Sequence, residues 1–451
     1  MREIVKQVNQ IDNKSSKLLA EIKRYIPAGS SSTMRVLEYH KPLVVNKADG
    51  AKIWDVDGNE LIDYNMGYGP LIFGHKSELI NDALKDQLDL SGAILGFSNS
   101  LYKEVGALIQ ESYPSIEMMR FSMTGSEVNQ TAIRLARAYT GKKDIILFEG
   151  HYHGSTDSVY HKYNCTIDEL NEENDYSVKS GTNGMAGAPH HAYLLPWNDY
   201  ETLSRFVKEN AKDVGAIIME PVMGNSGVIP PKDGFLKKVR SLCDEYGIVL
   251  IFDEIITGSR VARGGAQERF AVNSDITTLS KAAIGGFPGS IIGGKKEIMN
   301  LISEEKVFHG GVYSGNPLTL RATLVTQQEY QKNGVSIFES LNKRSDILAT
   351  GMREIFERVG ISVCVNNVGA MLSLFFIKEG NPRDVCNFRE YVKTDMVRHV
   401  LYQHILQEMG IYTHPHDLEP WYLSTAHTEA VIYQTLEIMN EAAIKLKNLG
   451  V

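Results

Sequence analysis

Residues Ile248 to Gly294, IVLIFDEIITGSRVARGGAQERFAVNSDITTLSKAAIGGFPGSIIGG, decide how the chain is read. The apolar run Ile248-Val249-Leu250-Ile251-Phe252 predicts a buried strand, and it ends at Asp253-Glu254. Open α/β sheets bind ligands outside the carboxyl ends of their strands, so a carboxylate there is placed for chemistry. A second short strand, Ile276 to Leu279, ends at Ser280-Lys281, and Gly285-Gly286-Phe287-Pro288-Gly289 follows. The spacing predicts one lysine and one carboxylate leaving neighbouring strand ends, with glycines keeping side chains out of the space beside them.

That pair suits pyridoxal phosphate. Its aldehyde needs a lysine amine for a Schiff base, and its pyridine nitrogen needs an acidic partner for the ring to act as an electron sink. Lys281 and Asp253 would fill these roles. The same residues admit a plainer reading, a solvated surface lysine and an Asp-Glu turn or helix cap, and both stand at this point.

Upstream, short apolar runs at 118–122, 144–148 and 215–219 alternate with helical stretches such as 128–139 and 232–246. This alternation, from 118 to 295, predicts a parallel sheet with flanking helices. Thr124-Gly125-Ser126-Glu127 opens the 128–139 helix. It reads as plain capping or as an anion site, because free N–H groups and the helix dipole both favour a phosphate. His151-Tyr152-His153 after the 144–148 run offers a pair able to bind zinc, or a tyrosine able to stack on a flat ring. No third ligand cluster accompanies the histidines, so no metal is expected. Residues 155–192 carry no regular period, and Ser180 to Pro189 is glycine-rich, a lid or an ordinary surface loop.

Residues 1–25 predict one amphipathic helix, followed by the small-residue loop Ile26 to Thr33 and by Arg35. Strands at 43–47 and 51–55, then the turn Asp57-Gly58 into 61–64, predict a small hairpin region. Beyond a helical region reaching 359, strands near 361–366 and 371–377 and helices near 394–408 and 428–449 change the pattern to α+β. The expected class is α/β: a large cofactor-binding domain with a mainly parallel sheet flanked by helices, plus a smaller α+β domain formed by the N- and C-terminal parts. The expected boundaries are 1–75 for an N-terminal segment of the small domain, 76–330 for the large domain and 331–451 for the rest of the small domain.

Composition narrows the classes further. A hydrophobic content of 43% and charged content of 23% are ordinary for a globular protein. A net charge of -8 argues against nucleic acid or an anionic membrane as the main partner. The four cysteines are scattered without a CxxC pair, and no apolar run reaches membrane-spanning length. A cytoplasmic location is expected.

Seven segments in order carry a resemblance. They are TGSEVNQTAIRLARAYTG (124–141), FEGHYHG (148–154), EPVMGN (220–225), FDEIITGSR (252–260), LSKAAIGGFPG (279–289), YSGNP (313–317) and LSTAH (423–427). Together they resemble the class III, fold-type I pyridoxal-phosphate-dependent aminotransferases, and within them the glutamate-1-semialdehyde aminomutase group. The resemblance implies that Lys281 carries the Schiff base and moves the proton, and that Asp253 pairs with the ring nitrogen. It places Tyr152 and Ile255 on the two faces of the ring, Gly125 and Ser126 at the phosphate, and Asn225 near the ring hydroxyl. It implies a homodimer with shared sites, Val312 reaching the neighbouring phosphate, where the family usually has threonine. Ser32, Arg35, Tyr68 and Glu419 match substrate-side positions, Tyr68 standing where that group usually has tryptophan.

The expected activity is therefore pyridoxal-phosphate-dependent amino transfer between an amino-acid-like or other anionic amine and a carbonyl acceptor. The alternative is a same-fold ammonia-lyase, racemase or intramolecular aminomutase, since all begin by removing the same proton.

Overall fold

The computed structural model describes residues 1–92, 96–381 and 383–450. Its centre is a seven-stranded sheet in the order Met118–Ser122, Ser290–Gly294, Ile276–Leu279, Val249–Glu254, Val214–Met219, Asp144–Phe148, Ala192–Leu195. Five consecutive strands, from Ile276–Leu279 to Ala192–Leu195, pair in parallel; Ser290–Gly294 runs antiparallel to both its neighbours. A parallel sheet is covered on both faces, so its strands are apolar throughout. Accordingly Val214–Met219 and Val249–Glu254 are buried at every position.

Strand parity sorts these side chains. Val249 and Ile251 pack into the core that contains Val128, Ile133 and Leu135, whereas Leu250 and Phe252 join Leu203, Phe206, Leu236 and Val239 on the opposite face. Val128, Ile133 and Leu135 line one face of helix Gly125–Thr140. Each fully buried side chain of this kind contributes about 1.5–3 kcal/mol. That helix starts with a capping box between Thr124 and Glu127 and ends at Gly141 in the left-handed conformation, φ 70°.

Residue 330 lies inside one 43-residue helix, Pro317–Val359, which joins the sheet region to a second core. That core lies among strands Val363–Val368, Met371–Phe376 and helices Met396–Glu408 and Glu429–Asn448. N- and C-terminal parts meet in a four-stranded sheet, where Ile411–Tyr412 pairs in parallel with Glu60–Asp63.

Three expectations change. Residues 1–25 form two helices, Arg2–Val8 and Lys14–Ile22, because the Asn13 side chain accepts the Ser16 N–H and starts a new helix. The edge strand Ala192–Leu195 and the helix Tyr200–Asn210 had no counterpart in the sequence reading. The glycines of 285–289 do not border the lysine–carboxylate space. A Cβ on Gly285, Gly286 or Gly289 would meet Thr326, Leu71 or Thr319, so they permit close packing against the long helix and the 65–71 loop.

Candidate active site

Parity places Asp253 on the face of helix Gly125–Thr140, the face Val249 and Ile251 already occupy. Glu254 points the other way and is consumed by Thr257, the Ala266 N–H and Gln267. Asp253 pairs in register with Thr278 on the adjacent parallel strand, and Lys281 follows three residues on. The strands therefore deliver both groups to one edge of the sheet. Lys281 takes a positive φ of 47°, a conformation that L-residues adopt rarely and that clusters at functional sites.

Asp253 is 4% exposed and hydrogen-bonded at both oxygens. Its Oδ2 accepts from Asn129 Nδ2 at 2.7 Å and lies 2.8 Å from His153 Nδ1, and its Oδ1 accepts the Ile255 N–H at 3.1 Å. A carboxylate that receives this many donors is held in one orientation. Asn129 is fixed in turn by Thr278 Oγ1, 2.8 Å from its Oδ1.

Glu220 sits where the neighbouring strand Val214–Met219 ends. It accepts the Tyr152 and Gly224 N–H groups, each at 2.8 Å, and Asn225 Nδ2 at 3.1 Å. Burial first, then the charge of Asp253, pushes its pKa up to about 7. Burial also lowers the pKa of Lys281, while Glu419, Glu220 and Asp253 act to raise it and Arg260 to lower it further.

These groups line a cavity of about 220 Å³, with Gly125, Ser126, Asn129, Tyr152, Gly154, Glu220, Asn225, Asp253, Ile255, Ile256, Ser280 and Lys281 around it. The lining fits a flat, anionic, carbonyl-bearing aromatic group. Tyr152 and Ile255 offer surfaces for a ring, Asp253 an acceptor for a ring N–H, and the start of a helix at Gly125-Ser126 a seat for an anion. The seat depends on missing side chains: a Cβ on Gly154, φ +98°, would lie 2.4 Å from Ser126 Oγ. Ser126 Oγ in turn accepts the Ser155 N–H at 3.1 Å.

The substrate-side residues stand outside this lining. The Arg35 guanidinium lies 5.9 Å from the Tyr68 ring centroid. Burial, then the charge of Glu419, pushes the Tyr68 hydroxyl up to about 12, with Arg35 opposing. Glu419 acts on both Tyr68 and Lys281, so it links the two groups electrostatically. Ser32 precedes the short turn Thr33–Arg35. Val312 is not part of the cavity; it is 70% exposed, beside Tyr313 at 60% and Phe308 at 82%.

Sequence reasoning gave no role to Asn129, His153, Glu220 or Arg260. The sequence offers His153 as half of a possible metal pair; the structure commits its Nδ1 to Asp253. Among the described residues no three His, Cys, Asp or Glu side chains are placed to share a metal ion. The available signal was position: Glu220 ends an apolar strand as Asp253 does.

A family model described as aminotransferase class-III matches residues 33–433. The chain is 39% identical over 436 residues, 95% of its length and 99% of the relative's, to a glutamate-1-semialdehyde 2,1-aminomutase of Ignicoccus hospitalis. It is 38% identical, with the same coverage, to the enzyme of that name from Archaeoglobus fulgidus. Its fold superimposes on an omega-transaminase from Sphaerobacter thermophilus with a TM-score of 0.88 at 26% identity, covering 97% of this chain and 99% of that one.

Proposed function

We propose, from the premise that the chain belongs to the class III aminotransferase family, that it moves an amino group between adjacent carbons of one carboxylate-bearing substrate, in the manner of a glutamate-1-semialdehyde 2,1-aminomutase. Pyridoxal 5'-phosphate is the cofactor. Support comes from near-full-length identity of 36–39% to relatives of that name. The observation that carries the reading is the charge pattern. The groups acting on Lys281 are three acids and Arg260, and the Arg260 guanidinium is bound to backbone carbonyls. Arg35, exposed beside Tyr68 and without a carboxylate partner among the described residues, is a cation available to a substrate carboxylate. An anchoring cation beside an acid-lined lysine suits a substrate that carries a carboxylate.

Bound in the cavity, the cofactor supplies an electrophilic carbonyl and an aromatic ring that accepts the electrons of a substrate carbanion. Gly125 and Ser126 hold its phosphate at the helix N-terminus, and Tyr152 and Ile255 flank its ring. Asp253, fixed by Asn129 and His153, would accept the ring N–H and favour its protonated form. Asn225 stands near the ring hydroxyl. Lys281 would hold the cofactor's carbonyl, and its amine would serve as the base that takes the proton from the substrate carbon bearing nitrogen. Its lowered pKa leaves more of the amine neutral, which a general base requires. It then returns that proton on the same side of the site. Ser32 and Arg35 orient the substrate carboxylate, and Tyr68 and Glu419 close the opposite wall.

Val312 and its exposed neighbours reach the phosphate of a second copy, so the working unit is a homodimer with shared sites. Light scattering should give twice the 50.3 kDa chain mass.

The test supplies glutamate 1-semialdehyde with nitrogen-15 in the amino group, in the presence of an unlabelled amine. Product amine carrying the label, without a second carbonyl substrate and without ammonia, supports the aminomutase. A second reading, transfer between two substrates, is favoured by the omega-transaminase likeness and by Tyr68 in place of tryptophan. It predicts conversion only when separate amine and carbonyl partners are added.

A further inference from the structure

Arg260 is 1% exposed and has no carboxylate partner among the described residues. Its Nη1 donates to the carbonyl oxygens of Ala370 at 3.2 Å and Leu423 at 3.0 Å, and its Nη2 donates to that of Gly69. Its guanidinium carbon lies 5.1 Å from the Tyr422 ring centroid. A buried cation without a counter-ion is costly, and burial pulls its pKa down to about 10. The planar fork is what joins three segments distant in sequence: the turn after the Asp253 strand, the C-terminal part at Ala370 and Leu423, and the 65–70 loop.

That loop needs holding. Met66, Gly67, Tyr68 and Gly69 have consecutive positive φ values of 47°, 68°, 68° and 95°, two of them at residues with a Cβ. Such a run persists only where surrounding contacts over-determine it. At its start, Asp63 accepts the N–H groups of Asn65 at 2.8 Å and Met66 at 3.2 Å. At its end, Gly69 lies against Tyr422, where a Cβ would approach the ring to 2.8 Å, and its carbonyl is taken by Arg260. Between these two clamps stands Tyr68.

We propose that Arg260 is a positioning residue that sets substrate affinity by locking the 65–70 loop so that Tyr68 faces Arg35 at the mouth of the site. The inference deepens the proposed function and rests on it for the identity of the substrate. Arg260 touches neither substrate nor cofactor; it acts through Gly69 and Tyr68. The buried face of Tyr68 completes the wall it shares with Glu419, so loss of the lock weakens binding before it slows chemistry.

A double-mutant cycle on the holoenzyme tests this. R260K keeps the charge and loses the fork. With glutamate 1-semialdehyde, R260K and Y68A should each raise KM about tenfold with kcat within about twofold, and the double variant should match Y68A alone. Independent effects, multiplying to about a hundredfold, would overturn the proposal, as would a loss confined to kcat. Hydrogen exchange of the holoenzyme needs no substrate: amides of 65–71 should exchange at least about tenfold faster in R260K while the central strands stay protected. Unchanged exchange there overturns it equally. Should R260K not fold, G69A serves, since its Cβ displaces the loop from Tyr422 with Arg260 intact; it should give the same KM rise, absent in a Y68A background. If wild type does not convert the semialdehyde, the proposed function fails, and the exchange comparison still decides the role of Arg260.

Discussion

His153 Nδ1 lies 2.8 Å from Asp253 Oδ2, and both side chains are almost wholly withdrawn from solvent. A histidine bonded to a carboxylate fixes its orientation, and partners of this kind typically contribute 10- to 100-fold to function at metal sites. His153→Ala should keep the fold and lower turnover about tenfold. Asp253→Asn should cost about 100-fold or more, because an amide cannot hold the ring nitrogen protonated. Steady-state rates of the two variants check the order; an Asp253→Asn enzyme as fast as wild type would remove Asp253 from its assigned role.

Lys281→Ala should abolish turnover. Borohydride reduction of the wild type should fix the cofactor covalently on the Lys281 peptide, and the variant should carry none there, read by peptide mass. A reduced adduct on another lysine would refute the assignment.

Gly154→Ala should weaken cofactor binding by at least about tenfold. The new Cβ would sit 2.4 Å from Ser126 Oγ and 2.7 Å from Ser126 Cα, at a φ of +98°. Strain of that kind costs about 1–3 kcal/mol, or roughly one to two decades in affinity. Fluorescence titration of the apoprotein with pyridoxal phosphate measures it.

Glu220 predicts a pH effect. Its folded pKa, about 7, exceeds the ordinary 4.5, so the folded protein takes up a proton between these values. Its contribution to stability is therefore most favourable below about 4.5 and is lost as pH rises through about 7. The melting temperature of wild type minus that of Glu220→Gln should fall from pH 5 to pH 8. A difference that rises over that window would contradict the burial argument.

Sheet architecture and the Lys281–Asp253 pair were legible because period and position carry them: a buried strand reads as an apolar run, and its carboxyl end is where ligands gather. Asp253 and Glu254 could not be told apart without knowing which face helix Gly125–Thr140 covers. Glu220 ends an apolar run as Asp253 does, but nothing local shows that its carboxylate takes the Tyr152 and Gly224 N–H groups. Arg260 was read as part of a motif; its three carbonyl partners lie between 110 and 191 residues away, and nothing local encodes them. Strand Ala192–Leu195 is four residues long and closes an irregular stretch, so its period is too short to register.

The alternation along the Asp253 strand also limits how this gene can change length. Inserting or deleting one residue before Asp253 within the strand would swing Glu254 or Phe252 into its place and send the whole row to opposite faces. The 155–191 segment, which lies outside the sheet strands, has no such parity to protect. Natural and engineered length variation should therefore accumulate there and be almost wholly excluded from residues 249–254, a bias that a deletion library selected for cofactor retention would display as a sharp gap.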